Sequence, residues 1–385
     1  MDFSALSHIS KTPGIGGSIK NSPEDFIVEE IGGDGMVFEI DMRIEYPDED
    51  GDFTRFILQK RDWTTEGAIR RIAKALGVGK KRFSYAGNKD KTAVTTQLVS
   101  AFGMEKEKLL GLDLKDIRIN GAWKAGDKVR LGELQGNRFT ITVRDAEGGA
   151  DAVSAIYEEL GGRFPNYFGG QRFGTTRKNT HIIGEYLIRG RTDKAVLEYL
   201  CGSGGELHEG ARDARERLKE AMDFSAALDG FPKHLRLERS MLVRLGKNPN
   251  DYAGALRALP RGTLLMFVHA FQAYLFNRLL SDRIAEGQIV QEEGERASDG
   301  IILGKLIGYE TEPNDREKAL LEELDVRAGD FRIRSMPEIS SKGGHRALFA
   351  PPEGFSFGEG VFRFTLPAGS YATSALREFL DVKKA

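Results

Sequence analysis

Phe83-Ser84-Tyr85-Ala86-Gly87-Asn88-Lys89-Asp90-Lys91-Thr92-Ala93-Val94-Thr95-Thr96-Gln97 sets one carboxylate, Asp90, between two lysines and follows it with an apolar, β-branched run. Gly87-Asn88 favours a turn, because both residues tolerate positive φ. The run from Ala93 to Val99 reads as a strand entering the core. Asp90 is therefore expected on a tight loop held by a buried strand, where folds display reactive groups. Two flanking cations favour its ionised form, and an ionised carboxylate serves as nucleophile or base. A surface turn with solvated charges accounts for the same spacing.

The neighbourhood adds weight to the reactive reading. Arg55, Lys60, Arg61, Arg70, Arg71, Lys74, Lys80, Lys81, Arg82, Lys89 and Lys91 face only Asp62, Glu66 and Asp90 among the acids of this segment. That is a local excess of eight positive charges in a chain of formal net charge −2. Phe53, Phe56, Trp63, Phe83 and Tyr85 interleave with them. Cations with aromatics suit a polyanion whose bases stack; a charged helix face over core aromatics is the plainer account.

At 385 residues the chain exceeds one ordinary core, so two domains are expected. Hydrophobic residues at 40% and charged residues at 30% describe a globular protein. The near-neutral balance means that any nucleic-acid contact comes from a patch. Cys201 is the one cysteine, which excludes an intrachain disulfide and argues against a cysteine zinc site. The N-terminus lacks the basic-then-apolar layout of a signal peptide. The longest apolar run, 264–276, contains His269 and Gln272 and is too short to span a bilayer. A cytoplasmic chain without membrane contact is expected. No G-x-x-x-x-G-K-[ST], dinucleotide glycine loop, H-E-x-x-H or G-x-S-x-G occurs. Neither a metal nor a nicotinamide cofactor is expected, so any chemistry runs on side chains, with Asp90 best placed.

Residues 12–24 read as loop, and Ile27–Ile31 begins a strand. Phe38, Ile40, Met42 and Ile44 alternate with polar residues and predict a half-buried strand over 37–44. Thr64 or Thr65 caps a helix running to Leu76, ended by Gly77. A weak helix over 105–115, a short strand over 129–131, a strand over 137–144 and a helix over 151–160 follow. Alternating strands separated by helices predict an α+β domain on a largely antiparallel sheet. Pro165-Asn166-Tyr167-Phe168-Gly169-Gly170-Gln171-Arg172-Phe173-Gly174 is dense in glycine, aromatics and amides. Its glycines permit close backbone approach to a ligand, and its amides match a nucleobase edge; Phe173 reads as a core plug. Helices are expected over 181–188, 194–200, 211–228, 251–259 and 264–284. A strand over 361–366 and a helix over 372–382 close the chain. A helical middle between sheet-like ends predicts an inserted domain.

Four blocks together resemble the TruD family of tRNA pseudouridine synthases. They are Ser22-Pro23-Glu24-Asp25-Phe26-Ile27-Val28-Glu29-Glu30, the run 86–97, the run 166–174 and Leu366-Pro367-Ala368-Gly369-Ser370-Tyr371-Ala372-Thr373, in the family's order. Gln272 to Asn277 resembles a further block. The resemblance implies a pseudouridine-synthase-like α+β core with a mostly antiparallel mixed sheet flanked by helices. It also implies an inserted, largely helical α+β domain. The expected division is 1–185 and 343–385 for the catalytic domain and 186–342 for the insertion. It implies isomerisation of a uridine in tRNA, the one at position 13, with base flipping and without cofactor. Asp90 would be the catalytic aspartate and Lys20 its ionic partner. Phe26, Asn166 and Tyr371 would contact the target uridine, and Phe168 would pack near its base. Tyr371 stands where the family often has Phe and keeps the stacking face.

The residue chemistry is compatible with that expectation. The uracil must leave the RNA stack, be held by aromatics and be read along an edge. Asp90 can attack C1′ or take a proton from C2′, and the sequence does not choose between them. Lys20 as a phosphate contact is the simpler assignment of that residue. A non-catalytic RNA-binding module or chaperone with the same basic, aromatic surface is the alternative to an enzyme. No obligatory protein partner is evident in the sequence.

Overall fold

The structure, a computed structural model, describes residues 3–298 and 300–381. Its described residues divide into two units, 10–164 with 350–381 and 3–9 with 165–349. The first unit opens with β1 (Phe26–Ile31), β2 (Phe53–Arg61), α1 (Thr65–Ala75), β3 (Phe83–Tyr85) and β4 (Val94–Phe102). α2 (Lys106–Leu110), β5 (Ile117–Ala125), β6 (Gly136–Thr142) and α3 (Ala150–Glu159) follow, and β7 (Phe164–Pro165) marks the passage into the second unit.

The second unit carries α4 (Thr180–Ile188), α5 (Thr192–Cys201), α6 (Glu209–Ala221), α7 (Phe224–Gly230), α8 (Arg236–Lys247), α9 (Tyr252–Arg257) and α10 (Arg261–Ala285). Next come β8 (Arg296–Ser298), β9 (Ile301–Leu306), α11 (Asp315–Glu323) and β10 (Gly344–Ala347). At β11 (Phe349–Ala350) the chain returns to the first unit and adds β12 (Glu353–Gly358), β13 (Val361–Pro367) and α12 (Ala372–Leu380). The expected C-terminal helix ran to Val382, which lies outside the described residues.

The first unit is built on an eight-stranded sheet in the order β12-β13-β6-β1-β4-β2-β5, with β3 also on β4. β1 and β4 run parallel, and the other neighbours pair antiparallel. The fold class is thus the expected α+β with a mixed, mostly antiparallel sheet. One face packs Phe56, Leu58 and Val99 against Ala68, Ile69 and Ile72 of α1. The other buries Ile57 and Leu98 with Phe38, Trp123 and Val129. α1 forms where its caps predict: the Thr64 hydroxyl accepts from Gly67 N at 3.0 Å, and Gly77 takes φ +67° just beyond the helix.

In the second unit α10 is the central helix, and α4 packs on it closely because Gly184 has no side chain. A Cβ there would lie 2.0 Å from the carbonyl oxygen of Phe267. The helices share one apolar core that includes Leu187, Val196, Leu242, Leu256 and Phe271. A three-stranded sheet, β10-β9-β8, completes this unit.

Three local expectations are overturned. Residues 37–44 form no strand: only Val37 bridges, to Ile31. Their backbone is satisfied by side chains instead, Ile40 N by Glu29 Oε1 at 3.0 Å and Asp41 N by Gln59 Oε1 at 2.8 Å. The alternation remains only in Phe38 and Ile44, which are buried. Residues 129–131 are irregular, with Val129 N bound to Ser100 Oγ at 2.9 Å. The helix expected over 211–228 is two helices, because Met222 turns left-handed at φ 51° and Asp223 caps the next.

Candidate active site

The topology gathers three segments at one end of the sheet. The parallel pairing sets Ile27 beside Val94, so the residues before β1 and those before β4 lie side by side. The antiparallel pairing of β2 with β4 sets Arg61 beside Val94, which brings the end of β2 to the same place. α1 starts four residues later, so its first turn lies there too. Lys20, Phe26 and Asp90, chosen from the sequence, are brought together by this arrangement.

Lys20 Nζ donates to Asp90 Oδ1 at 2.9 Å. The same ammonium lies 4.0 Å from the centroid of the Phe26 ring, a cation–π contact that fixes it from below. Lys20 adopts φ +63°, a left-handed conformation costing a lysine about 1 kcal/mol. Strain of this kind persists where the surroundings determine the geometry.

The loop before β4 is clamped from beneath by residues that sequence reading did not single out for this task. Lys60, at the end of β2, donates through Nζ to the main-chain carbonyl of Asp90 at 2.6 Å. Thr65 Oγ1, in the first turn of α1, accepts from Lys89 N at 3.0 Å and donates to Gln97 Oε1 at 2.8 Å. Gln97 Nε2 donates in turn to the Gly87 carbonyl at 3.0 Å. Lys89 turns inward: its Nζ lies 2.6 Å from Glu30 Oε2 and donates to Asn137 Oδ1 at 2.7 Å. Glu30 is fully buried and also receives Leu98 N at 2.9 Å. Of the two lysines flanking Asp90, Lys89 thus anchors the loop and Lys91 is exposed. Period-two spacing did mark one signal: Lys60 continues the buried row Phe56, Leu58, where a cation is out of place.

Tyr371 is half-buried at the N-terminal cap of α12, and its carbonyl receives Ser374 N at 3.0 Å. Asn166 and Phe168 belong to the second unit. There Asn166 Nδ2 donates to the Ala347 carbonyl at 3.0 Å, and Arg346 Nη2 donates to Asn166 Oδ1 at 2.7 Å. The Arg346 guanidinium also lies 4.0 Å from the Phe168 ring centroid. Asn277 holds the Phe168 backbone at both ends, accepting from its N–H at 2.8 Å and donating to its carbonyl at 2.9 Å. Sequence reading missed Arg346; Asn277 was visible only as the end of a family-like block. Phe173 is fully buried, the core plug expected of it.

The basic excess over Arg55–Lys91 is smaller in space than in sequence. Arg55 pairs with Asp127 and Glu133, Arg61 with Glu24, Arg70 and Lys80 with Glu66 and Lys89 with Glu30, while Lys60 is buried. Arg71, Lys74, Lys81, Arg82 and Lys91 are exposed and form no ion pair among the described residues. Burial pushes the Cys201 thiol up to about 11, far from a nucleophile's range. Among the described residues no group of three or more His, Cys, Asp or Glu is placed to hold a metal ion. No helix among them is long and apolar enough to cross a membrane.

A family model described as tRNA pseudouridine synthase D (TruD) matches residues 3–299 and 292–379. The chain is 43% identical, over 86% of each chain, to a protein of Methanopyrus kandleri described as "Probable tRNA pseudouridine synthase D". It is 35% identical to a protein of the same description from Methanococcoides burtonii, covering 98% of this chain and 95% of that one. A crystal structure from Methanosarcina mazei, described as "Putative tRNA pseudouridine synthase D (TruD)", is similar over most of the chain. Its TM-score is 0.73 at 32% identity, covering 97% of this chain and 95% of that one.

Proposed function

The chain belongs to the tRNA pseudouridine synthase D (TruD) family and is an isomerase, and on that premise we propose that it converts the uridine at position 13 of tRNA to pseudouridine through Asp90. The observation that carries this reading is the Lys20–Asp90 ion pair at 2.9 Å, seated on the Phe26 ring and held on a loop clamped by buried side chains. A surface turn with solvated charges needs none of those clamps.

The reaction breaks the N1–C1′ bond, turns the uracil and joins C5 to C1′; C5 gives up its hydrogen as a proton and the freed N1 takes up a proton. The uridine must leave the RNA stack for this to happen. Asp90 attacks C1′ or removes the C2′ proton, the two roles open to a carboxylate at that position. Lys20 orients the carboxylate. Tyr371, half-buried, offers a stacking face to the loose base, while Phe26, fully buried, carries the Lys20 ammonium on its ring. In the second unit Asn166, with Phe168 near it, offers an amide to a nucleobase edge. The residues in 186–342 grip the body of the tRNA. Action on tRNA supports the cytoplasmic location expected from the sequence.

The test uses tRNA tritiated at uracil C5, because forming the C5–C1′ bond releases tritium to water. Wild type is expected to release it, and Asp90→Asn to release none while binding tRNA within about twofold of wild type. Equal release by both removes Asp90 from the chemistry. Tight binding with no release by either favours a non-catalytic RNA-binding module.

A further inference from the structure

We propose that Lys60 is a positioning residue for the isomerisation: from beneath the loop it holds the main chain of Asp90 while Lys20 holds the carboxylate. The inference rests on the assignment of Asp90 as the reacting group and deepens it. Lys60 is 1% exposed, and its Nζ donates to the Asp90 carbonyl at 2.6 Å. A buried ammonium is costly to keep, and its removal from water is offset only where its geometry is good. An apolar residue in the row of Phe56 and Leu58 would extend the core without that cost. One uncharged donor would satisfy a carbonyl. A charge-assisted donor is about twice as strong as a neutral one and fixes the backbone more stiffly.

The two lysines take Asp90 by different handles. Lys20 reaches Oδ1 from the segment before β1, and Lys60 reaches the carbonyl from the end of β2. Neither alone determines the carboxylate's position: a held side chain on a loose backbone pivots, and a held backbone leaves the side chain its rotamers. A misplacement of about 1 Å at a reacting group costs roughly a hundredfold in rate, so the second handle matters to chemistry and not to affinity.

Burial brings Lys60 down to about 8, opposed by Asp90 and Asp62 and reinforced by Lys89, the charged groups that act on it. Above that pH the ammonium becomes an amine and its hydrogen bond to the carbonyl weakens. The turnover rate is therefore expected to fall as pH rises through about 8.

The experiment measures single-turnover tritium release from C5-tritiated tRNA between pH 6 and 9.5, with tRNA affinity and melting temperature measured alongside. The proteins are wild type, Lys60→Met, Lys60→Arg and Asp90→Asn. Lys60→Met is expected to react about a hundredfold more slowly at pH 7, with affinity within twofold and no downward limb near pH 8. Lys60→Arg, which stays charged throughout, is expected to recover part of the rate and also to lack the limb. A wild-type rate that is level from pH 7 to 9.5 overturns the proposal, even if both variants fail to fold. So does a Lys60→Met rate within threefold of wild type. Parallel losses of rate, affinity and melting temperature assign Lys60 to the fold alone and also overturn it. If Asp90→Asn is inactive while Lys60→Met behaves as wild type, only the present inference falls. If Asp90→Asn turns over normally, the reading beneath it falls.

Discussion

Charge near Asp90 is divided among three lysines, each with a different consequence. Lys20 meets the carboxylate, Lys60 the carbonyl and Lys89 the buried Glu30. The sequence brought Lys20 and Asp90 into one hypothesis through motif order. It marked Lys60 only by its place in the buried row of Phe56 and Leu58, since a lysine thirty residues away in a basic segment otherwise looks solvated. Lys89 was misread for the same reason: its buried carboxylate lies on another strand. A buried histidine shows that burial, as the largest cause, also shifts titration. His181 is stacked on Tyr274 with centroids 5.1 Å apart and meets the edge of Phe173 at 5.4 Å. Burial lowers its pKa from 6.5 to about 4. Between those values the unfolded chain holds a proton that the folded chain lacks. Stability from this group is therefore complete above pH 6.5 and is lost as pH falls toward 4, by an amount on the order of 3 kcal/mol. His181→Phe keeps an aromatic ring and removes the proton site. Its melting temperature is expected to fall less than that of wild type between pH 7 and 4.5, and an equal fall excludes His181 as a source of the acid sensitivity.

Elements were legible where a local signal coincided with tertiary need. α1 has its cap at Thr64, its apolar face toward β2 and β4 and Gly77 at its end, and it forms within a residue or two of expectation. α11 was readable and was overlooked: Asn314 and Glu317 form a capping box, in which each side chain receives the other residue's N–H. α8 was harder, because Leu235 at its N-cap position offers no capping side chain and only Met241, Leu242 and Leu245 mark its inner face. The 37–44 segment failed in the opposite direction. Its alternation is real, but the side chains of Glu29 and Gln59 take the backbone groups that a neighbouring strand would have taken. The outer face of α1 and the turn after it carry exposed cations that form no ion pair among the described residues: Arg71, Lys74, Lys81 and Arg82, with Lys91 beyond. Each phosphate contact contributes about −0.7 to −0.9 to the slope of log affinity against log salt. Changing Arg71, Lys74, Lys81 and Arg82 together to Gln is expected to flatten that slope for tRNA binding by about 3. The matching change at the paired Arg55 and Arg70 is expected to move it by less than 1. Equal changes in slope mean that the pairs open on binding and that the sequence count was the better guide.

At the scale of the whole molecule, the reading of a sheet-like start, a helical middle and a sheet-like return followed from a change of period along the chain. That pattern could not tell where the main chain of one unit gives way to the other, because a boundary is a property of contacts. β13 returns to pair with β6, with Phe364 beside Phe139, and this long-range pairing places the C-terminal strand in the sheet begun at β1. Each unit has a core of its own. Leu242 is fully buried in the helical core, and Ile72 is equally buried between α1 and the sheet. Truncating either to Ala removes the same kind of apolar group and leaves a cavity, at a cost of about 2–5 kcal/mol. A chain with two cores need not unfold in one two-state step. Calorimetry is therefore expected to resolve more than one component. Leu242→Ala should lower one of them by several degrees, and Ile72→Ala should lower another. Ile72 packs in the core of the unit that carries Lys60 and Asp90, so tritium release should follow the component that Ile72→Ala moves. A single transition, displaced alike by both variants, means that the two cores melt together and that loss of either ends activity at the same temperature.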